Sequence, residues 1–291
     1  MALEITVRAA AKINLLLEVT GKRPDGYHEL VTVFQSIGLY DYITLQEVEE
    51  GIHVHCLHPG VPAGADNLAY RAARSLLFRR PGGKGVEIFI DKHIPIAGGL
   101  GGGSADAAAV LVGLNRLWGL NLPLEELLCT GAELGADVPF FILGGTAVGR
   151  GRGELLTPLP RSPGFWVVLA NPGFPVSTAE VYASLDLARV RRHPDLGAML
   201  RALESCDARE VASCLGNVLE EVTLARYPIL RGIKERMLEA GALGTLMCGS
   251  GPTIFALAAD EGQARRVAAA VAPLPGGVWV TSTLSAKEAA P

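Results

Sequence analysis

The stretch Ile94-Pro95-Ile96-Ala97-Gly98-Gly99-Leu100-Gly101-Gly102-Gly103-Ser104-Ala105-Asp106-Ala107-Ala108 decides how the rest of the chain is read. Five glycines among residues 98–103 remove almost every Cβ from a loop that leads directly into an Ala-rich helix. Backbone N–H groups of such a loop can approach a phosphate closely, with the positive end of the helix dipole aimed at it. Ser104 would cap the helix or offer its hydroxyl to a phosphate-bound Mg²⁺. GxxxxGK[ST] fails because no Lys follows the glycines, and GxGxxG fails because Gly99-x-Gly101-x-x ends on Ser104. A flexible glycine linker would not be embedded between a buried strand and a strong helix. The loop is expected at the surface.

Three further places carry candidate chemistry. Lys12, in Ala9-Ala10-Ala11-Lys12-Ile13-Asn14-Leu15, is a lone basic group between apolar positions, in a chain with 6 lysines. On a strand, Asn14 faces the same side as Lys12. Asp137, in Gly135-Ala136-Asp137-Val138-Pro139-Phe140-Phe141, is a carboxylate in an apolar surround. It is either a turn or helix-capping residue, or a partly desolvated candidate base. Lys12 is either a strand-edge lysine or the cation that balances Asp137. Gly249-Ser250-Gly251-Pro252-Thr253 lies between two apolar strands. It reads as a hairpin turn, or as three small residues that let a phosphate or substrate come near.

Around these motifs the pattern predicts strands over 3–8, 12–20, 28–38 and 40–48, with turn chemistry at 21–26. A helix opens at Asp66-Asn67 and is stopped by Pro81-Gly82-Gly83. A strand over 86–90 and helices over 104–117 and 123–134 follow. The Pro-rich, polar stretch 152–164 is the expected boundary between two domains, 1–159 and 160–291. Beyond it come a buried strand (165–172), helices over 178–186, 195–204, 207–220 and 226–240, strands over 245–248 and 253–258, a helix over 260–271 and a strand over 277–281. The irregular alternation reads as α+β in both halves.

Composition excludes several classes. Of 291 residues, 49% are apolar and 19% charged, which rules out intrinsic disorder. A net charge of −4, 6% aromatics and no basic stripe argue against nucleic acid. The five cysteines are scattered and form no CxxC, the pattern of reduced thiols in a cytoplasmic protein. The N-terminus lacks signal-peptide order, and no uncharged apolar run reaches the ~18 residues that span a bilayer. A soluble, cytoplasmic protein with no membrane partner is expected.

Lys12-Ile13-Asn14-Leu15, Gly98–Ser104 and Gly249–Thr253, in that order, resemble the three motifs of the GHMP kinase superfamily, and the resemblance covers nearly the whole chain. It implies a two-domain α+β fold: an N-terminal domain like ribosomal protein S5 domain 2 and a C-terminal ferredoxin-like α/β sandwich. KINLLLEVTGKRPDGYHEL (12–30), DNLAYRAA (66–73) and GADVPFF (135–141) are similar to the branch that acts on a cytidine diphosphate conjugate of methylerythritol. The resemblance implies ATP-dependent phosphoryl transfer to that small molecule's 2-hydroxyl, with Mg²⁺. Asp137 would be the base and Lys12 its electrostatic partner. Residues 95–105 would be the ATP phosphate loop, with Asn67 and Lys92 flanking the adenine.

Tyr27 and His28 would hold the cytosine, with Tyr182 a second stacking partner. Asn14 would contact the diphosphate, and Gly249 and Ser250 the substrate. The base would lie between Tyr27 and Tyr182 with its edge read by His28, which requires the chain to turn there. Some members have Ser-Ser after the glycines, whereas here Ala105 follows Ser104, so the metal ligands are unknown. Competing readings are a homoserine or mevalonate type of GHMP kinase, an inactive nucleotide-binding protein, and a dehydrogenase without its dinucleotide fingerprint. A monomer or a homodimer is expected.

Overall fold

Two strands of unusual length organise the computed structural model, which describes residues 3–79, 84–160 and 164–291. β1 (Glu4–Lys22) and β2 (His28–Val48) pair antiparallel from Glu4 with Gln46 to Lys22 with His28. Alternation breaks at Ala9-Ala10-Ala11 and at Gly38, so the sequence reads as four strands where there are two. Within β1 the register slips between Ala10 and Ala11, between Asn14 and Leu16, and between Val19 and Gly21, and the ladder continues. Bulges of this kind bend and twist a strand without ending it. Ala9 to Val19 is buried without a gap, because β1 is covered on both faces.

β3 (Ile52–Cys56), β4 (Gly85–Asp91), β5 (Thr146–Arg150) and β6 (Leu155–Pro158) extend this sheet in the order β3-β4-β2-β1, with the β5–β6 hairpin attached to β2. Residues 155–158, within the expected boundary stretch, are therefore part of the sheet, and 152–154 form the turn that leads into them, although their composition reads as linker. Pro158 ends an outer strand, where a missing N–H breaks no central ladder. α1 (Leu68–Leu77), α2 (Gly102–Leu117), α3 (Leu124–Leu134) and α4 (Val138–Leu143) cover one face. There Leu76, Leu111 and Leu114 pack on Ile43, Leu45 and Ile88. Asn67 caps α1 as its position suggests, accepting from Ala69 N–H at 2.8 Å. The expected stop at 81–83 lies outside the described residues.

The second half forms a separate antiparallel sheet. Its elements are β7 (Trp166–Asn171), α5 (Thr178–Ser184), α6 (Leu196–Ser205), α7 (Ala208–Ser213), β8 (Gly216–Asn217), α8 (Glu220–Arg226), α9 (Ile229–Glu239), β9 (Gly244–Met247), β10 (Ile254–Ala258), α10 (Glu261–Val271), β11 (Gly277–Ser282) and α11 (Ala286–Ala289). The strand order is β11-β7-β10-β9, while β8 crosses back to pair parallel with β1 at Leu16 and Leu17. Val167 and Leu169 of β7 face a core shared with Ile13 and Leu15 of β1. Val168 and Ala170 face Ile233 of α9 and Val267 of α10. The helix expected over 207–220 is cut short: α7 ends at Ser213, β8 follows, and α8 starts only at Glu220. Asn217 breaks it by donating to the carbonyls of Met247 and Gly249 while accepting from Leu219 N–H. Among the described residues no helix is long and apolar enough to cross a membrane.

Candidate active site

One cavity of about 1060 Å³ lies where the two sheets meet, lined by β1, the 23–27 turn, the glycine loop, Asp137, α5 and the Gly249-Ser250 turn. Lys12 is 5% exposed and not at a strand edge; its N–H donates to Leu100 O of the glycine loop. Its Nζ donates to Asn14 Oδ1 at 2.8 Å, so the alternation did place the two side chains together. Asn14 Nδ2 in turn donates to Thr32 Oγ1 at 2.8 Å. Lys12 Nζ stands 3.5 Å from Asp137 Oδ2 and 5.3 Å from the Phe34 ring centre. Asp137 occupies the cap position of α4, yet its side chain makes no cap bond. The apolar run after it is buried, while the carboxylate itself turns toward Lys12 and stays 32% exposed at the cavity wall. The expected desolvated carboxylate is thus a paired, partly open one.

α2 begins at Gly102, two residues before the sequence suggests, and Ser104 lies inside its first turn rather than capping it. The cap position is Gly101 at φ +75°, with no side-chain acceptor. First-turn N–H groups are left without a side-chain cap where Gly102, Gly103 and Ser104 line the cavity, the kind of helix end whose dipole favours negative charge. The loop is only partly a surface feature. A Cβ on Gly99 would collide with the Cys248 carbonyl, and one on Gly101 with the Phe141 ring, whereas one on Gly103 meets nothing within 4 Å. Gly99 and Gly101 thus permit close packing, and Gly103 leaves open space.

The 249–253 turn joins β9 to β10 and also backs the loop. Thr253 N–H donates to Gly98 O at 3.4 Å. The Ser250 and Thr178 hydroxyls share a hydrogen bond of 2.8 Å. Lys92 Nζ reaches the cavity edge but is held between Asp41 and Asp106, the latter at 2.8 Å. Asp41 also accepts from the His93 and Ile94 N–H groups, fixing the entry to the loop. Burial pushes Asp106 up to about 7, against the attraction of Lys92. Asn67 lines the cavity with its amide already spent on Ala69 N–H and Pro62 O.

At the other end the chain turns as required: Arg23 N–H donates to Tyr27 O, Gly26 has φ +87°, and Tyr27 N–H donates to Asp25 Oδ1. Tyr27 and His28 therefore line the same cavity. Tyr182 lines the cavity as well and packs on His28, ring centres 5.1 Å apart. Burial lowers the His28 imidazole, with Lys22 adding to the effect, so near neutral pH it offers one donor and one acceptor. Burial and the charge of Asp137 raise the Tyr182 phenol. Sequence reading missed Arg152, whose guanidinium lies 5.1 Å from the Tyr27 ring centre. Its signal was an arginine between two glycines, Gly151 and Gly153, both at positive φ.

An α2 N-terminus without a side-chain cap and the Lys12–Asp137 pair thus line one cavity. The family profile "GHMP kinases N terminal domain" matches residues 67–145, and "GHMP kinases C terminal" matches 194–274. A relative from Exiguobacterium sibiricum, named 4-diphosphocytidyl-2-C-methyl-D-erythritol kinase, is 51% identical over 90% of this chain and 92% of its own. One from Brevibacillus brevis with the same name is 45% identical over 98% of both chains. A crystal structure of 4-(cytidine 5'-diphospho)-2C-methyl-D-erythritol kinase superposes with TM-score 0.83 at 37% identity, covering 96% of this chain and 99% of that one. Homoserine kinase from Cytophaga hutchinsonii (TM-score 0.78, 22% identity, covering 98% of this chain and 96% of that one) shares the fold. The chain belongs to the GHMP kinase family and, within it, to the 4-diphosphocytidyl-2-C-methyl-D-erythritol kinases. It is an ATP-dependent small-molecule kinase with the two-domain α+β fold of that family.

Proposed function

We propose that the chain transfers the γ-phosphoryl group of ATP to the 2-hydroxyl of 4-diphosphocytidyl-2-C-methyl-D-erythritol, a step of the non-mevalonate route to isoprenoid precursors. The observation that carries this reading is the Lys12–Asp137 pair, which sits in one cavity with an uncapped α2 N-terminus and with Tyr27, His28 and Tyr182. Phosphoryl transfer asks a protein for positioning, charge neutralisation and one hydroxyl activator. Asp137 accepts the proton of the attacking hydroxyl, and Lys12 balances the carboxylate and the incoming charge. The 95–105 loop holds the donor's phosphates, with Asn67 and Lys92 on the adenine side. Tyr27, His28 and Tyr182 hold the pyrimidine, and Asn14, Gly249 and Ser250 line the acceptor's path.

Among the described residues no three His, Cys, Asp or Glu side chains converge to hold a metal. That suits an Mg²⁺ bound chiefly by phosphate oxygens and water, the habit of this ion in phosphoryl-transfer sites. The five cysteines are free, which suits a cytoplasmic protein. Incubation with Mg-ATP and the diphosphocytidyl compound should give ADP and one product phosphorylated at the tertiary hydroxyl. Phosphorylation of homoserine or mevalonate in preference would replace this acceptor, and no ADP from any of them would remove the catalytic reading.

A further inference from the structure

We propose that Arg152 recognises the diphosphate bridge of the acceptor, an inference that rests on the acceptor proposed above. In that compound the two phosphates lie between the pyrimidine and the alcohol. They must cross the cavity between Tyr27–His28 and Asp137, bringing at least two negative charges. Among the described residues the cations that line the cavity are Lys12, Lys22, Lys92 and Arg152. Lys12 is shared by Asn14 and Asp137, and Lys92 lies between two buried carboxylates. Asn14 is engaged through both its oxygen and its nitrogen and carries no charge. Lys22 pairs across the strands with His28 and lowers its basicity, so it belongs to the pyrimidine end.

Arg152 stands between the two ends. Its guanidinium lies over the Tyr27 ring. The next residue, Gly153, abuts the carboxylate: a Cβ there would be 3.8 Å from Asp137 Oδ1. The turn that carries it is fixed to β2, because Leu30 N–H donates to Gly151 O at 2.8 Å. Glu154 Oε2 accepts from the N–H of Arg152 itself at 2.6 Å. The guanidinium is held far more loosely. The nearest carboxylate oxygen, Glu154 Oε1, is 3.7 Å from Nε, and the group makes no hydrogen bond among the described residues. A planar fork of N–H donors, oriented by an aromatic face, fits phosphate oxygens two at a time.

Calorimetric titration of cytidine and CDP separates the base from the bridge. The wild type should bind CDP about tenfold to hundredfold more tightly than cytidine, the worth of one charge-assisted contact. Arg152→Gln should lose most of that margin while its affinities for cytidine and ADP stay unchanged, and Arg152→Lys should regain part of it. In turnover, Arg152→Gln should raise the acceptor KM by a similar factor and leave the KM for ATP alone. A CDP margin that survives in Arg152→Gln overturns the proposal, as does a margin lost in Lys22→Gln instead. Loss of cytidine binding in Arg152→Gln also overturns it, since Arg152 would then only shape the Tyr27 platform. A wild type that binds neither compound overturns the acceptor reading, and the proposal with it.

Discussion

Asp137 leaves a cap bond unmade, and the base role proposed for it depends on that. It precedes a six-residue helix whose first turn it does not cap, and its carboxylate faces Lys12. Asp137→Asn keeps the shape and an oxygen for Lys12 but removes the proton acceptor. Steady-state kinetics should show kcat reduced by about 10²–10⁴-fold, with ADP affinity by calorimetry unchanged. A near-normal kcat would leave Asp137 a structural carboxylate. Lys12 and Asn14 were legible as a pair because strand alternation is local. Their meeting with Asp137 was not, because no local pattern fixes contacts between distant segments. Arg152 was hidden for a different reason: glycines and prolines around it set a tight hairpin, and the same composition reads as a linker.

Among the elements, the loop entering α2 corrects an expectation. The sequence suggests that Gly101→Val would spare the fold. With φ +75° and the Phe141 ring in the way, it would damage fold and nucleotide binding together. Gly103→Ala is the clean probe, since its Cβ enters open space beside the cavity. Alanine gains about 0.5–1 kcal/mol over glycine in a helix, so the Tm should hold or rise. Because the new Cβ would stand where a phosphate must come close to the loop's N–H groups, ADP should bind about tenfold more weakly, the worth of one charge-assisted hydrogen bond held off its partner. Unchanged ADP affinity would count against a phosphate cradle.

The Asp41–Lys92–Asp106 cluster ties β2, the end of β4 and α2 together. Folded Asp106 keeps its proton to about 7 against an ordinary value of 3.8. The folded state therefore binds more protons in that window. Asp106's stabilisation, full below the lower value, is lost as pH rises through the upper one. Between about pH 5 and 8 the wild-type Tm should fall relative to that of Asp106→Asn. Parallel curves would mean that Asp106 is ionised throughout.

At the scale of the molecule, the two proposed domains, 1–159 and 160–291, are joined by a buried cluster that both build. Ile13, Leu15, Val33 and Ile37 of the first half pack with Val167, Leu169, Phe255 and Leu257 of the second. β8 pairs with β1, and Leu284 N–H donates to Ser36 O at 2.9 Å. Scanning calorimetry should therefore give one cooperative transition for the whole chain and none for residues 1–159 alone. Two separate transitions would show independent units. The inner strands of the second sheet, β7 and β10, were legible because they are nearly continuous apolar runs buried on both faces. A two-residue strand such as β8 carries no such signal.

One continuous cavity runs from Tyr27 and His28 past Asp137 to the α2 N-terminus and Ile96, so the two nucleotides proposed for it would lie end to end, not in sealed chambers. A tethered molecule with cytidine at one end and adenosine at the other, joined through a phosphate chain, would meet both regions in a single encounter. Its second half would bind at an effective concentration on the order of millimolar, and its avidity would exceed the affinity of either half by about 10²–10⁴-fold.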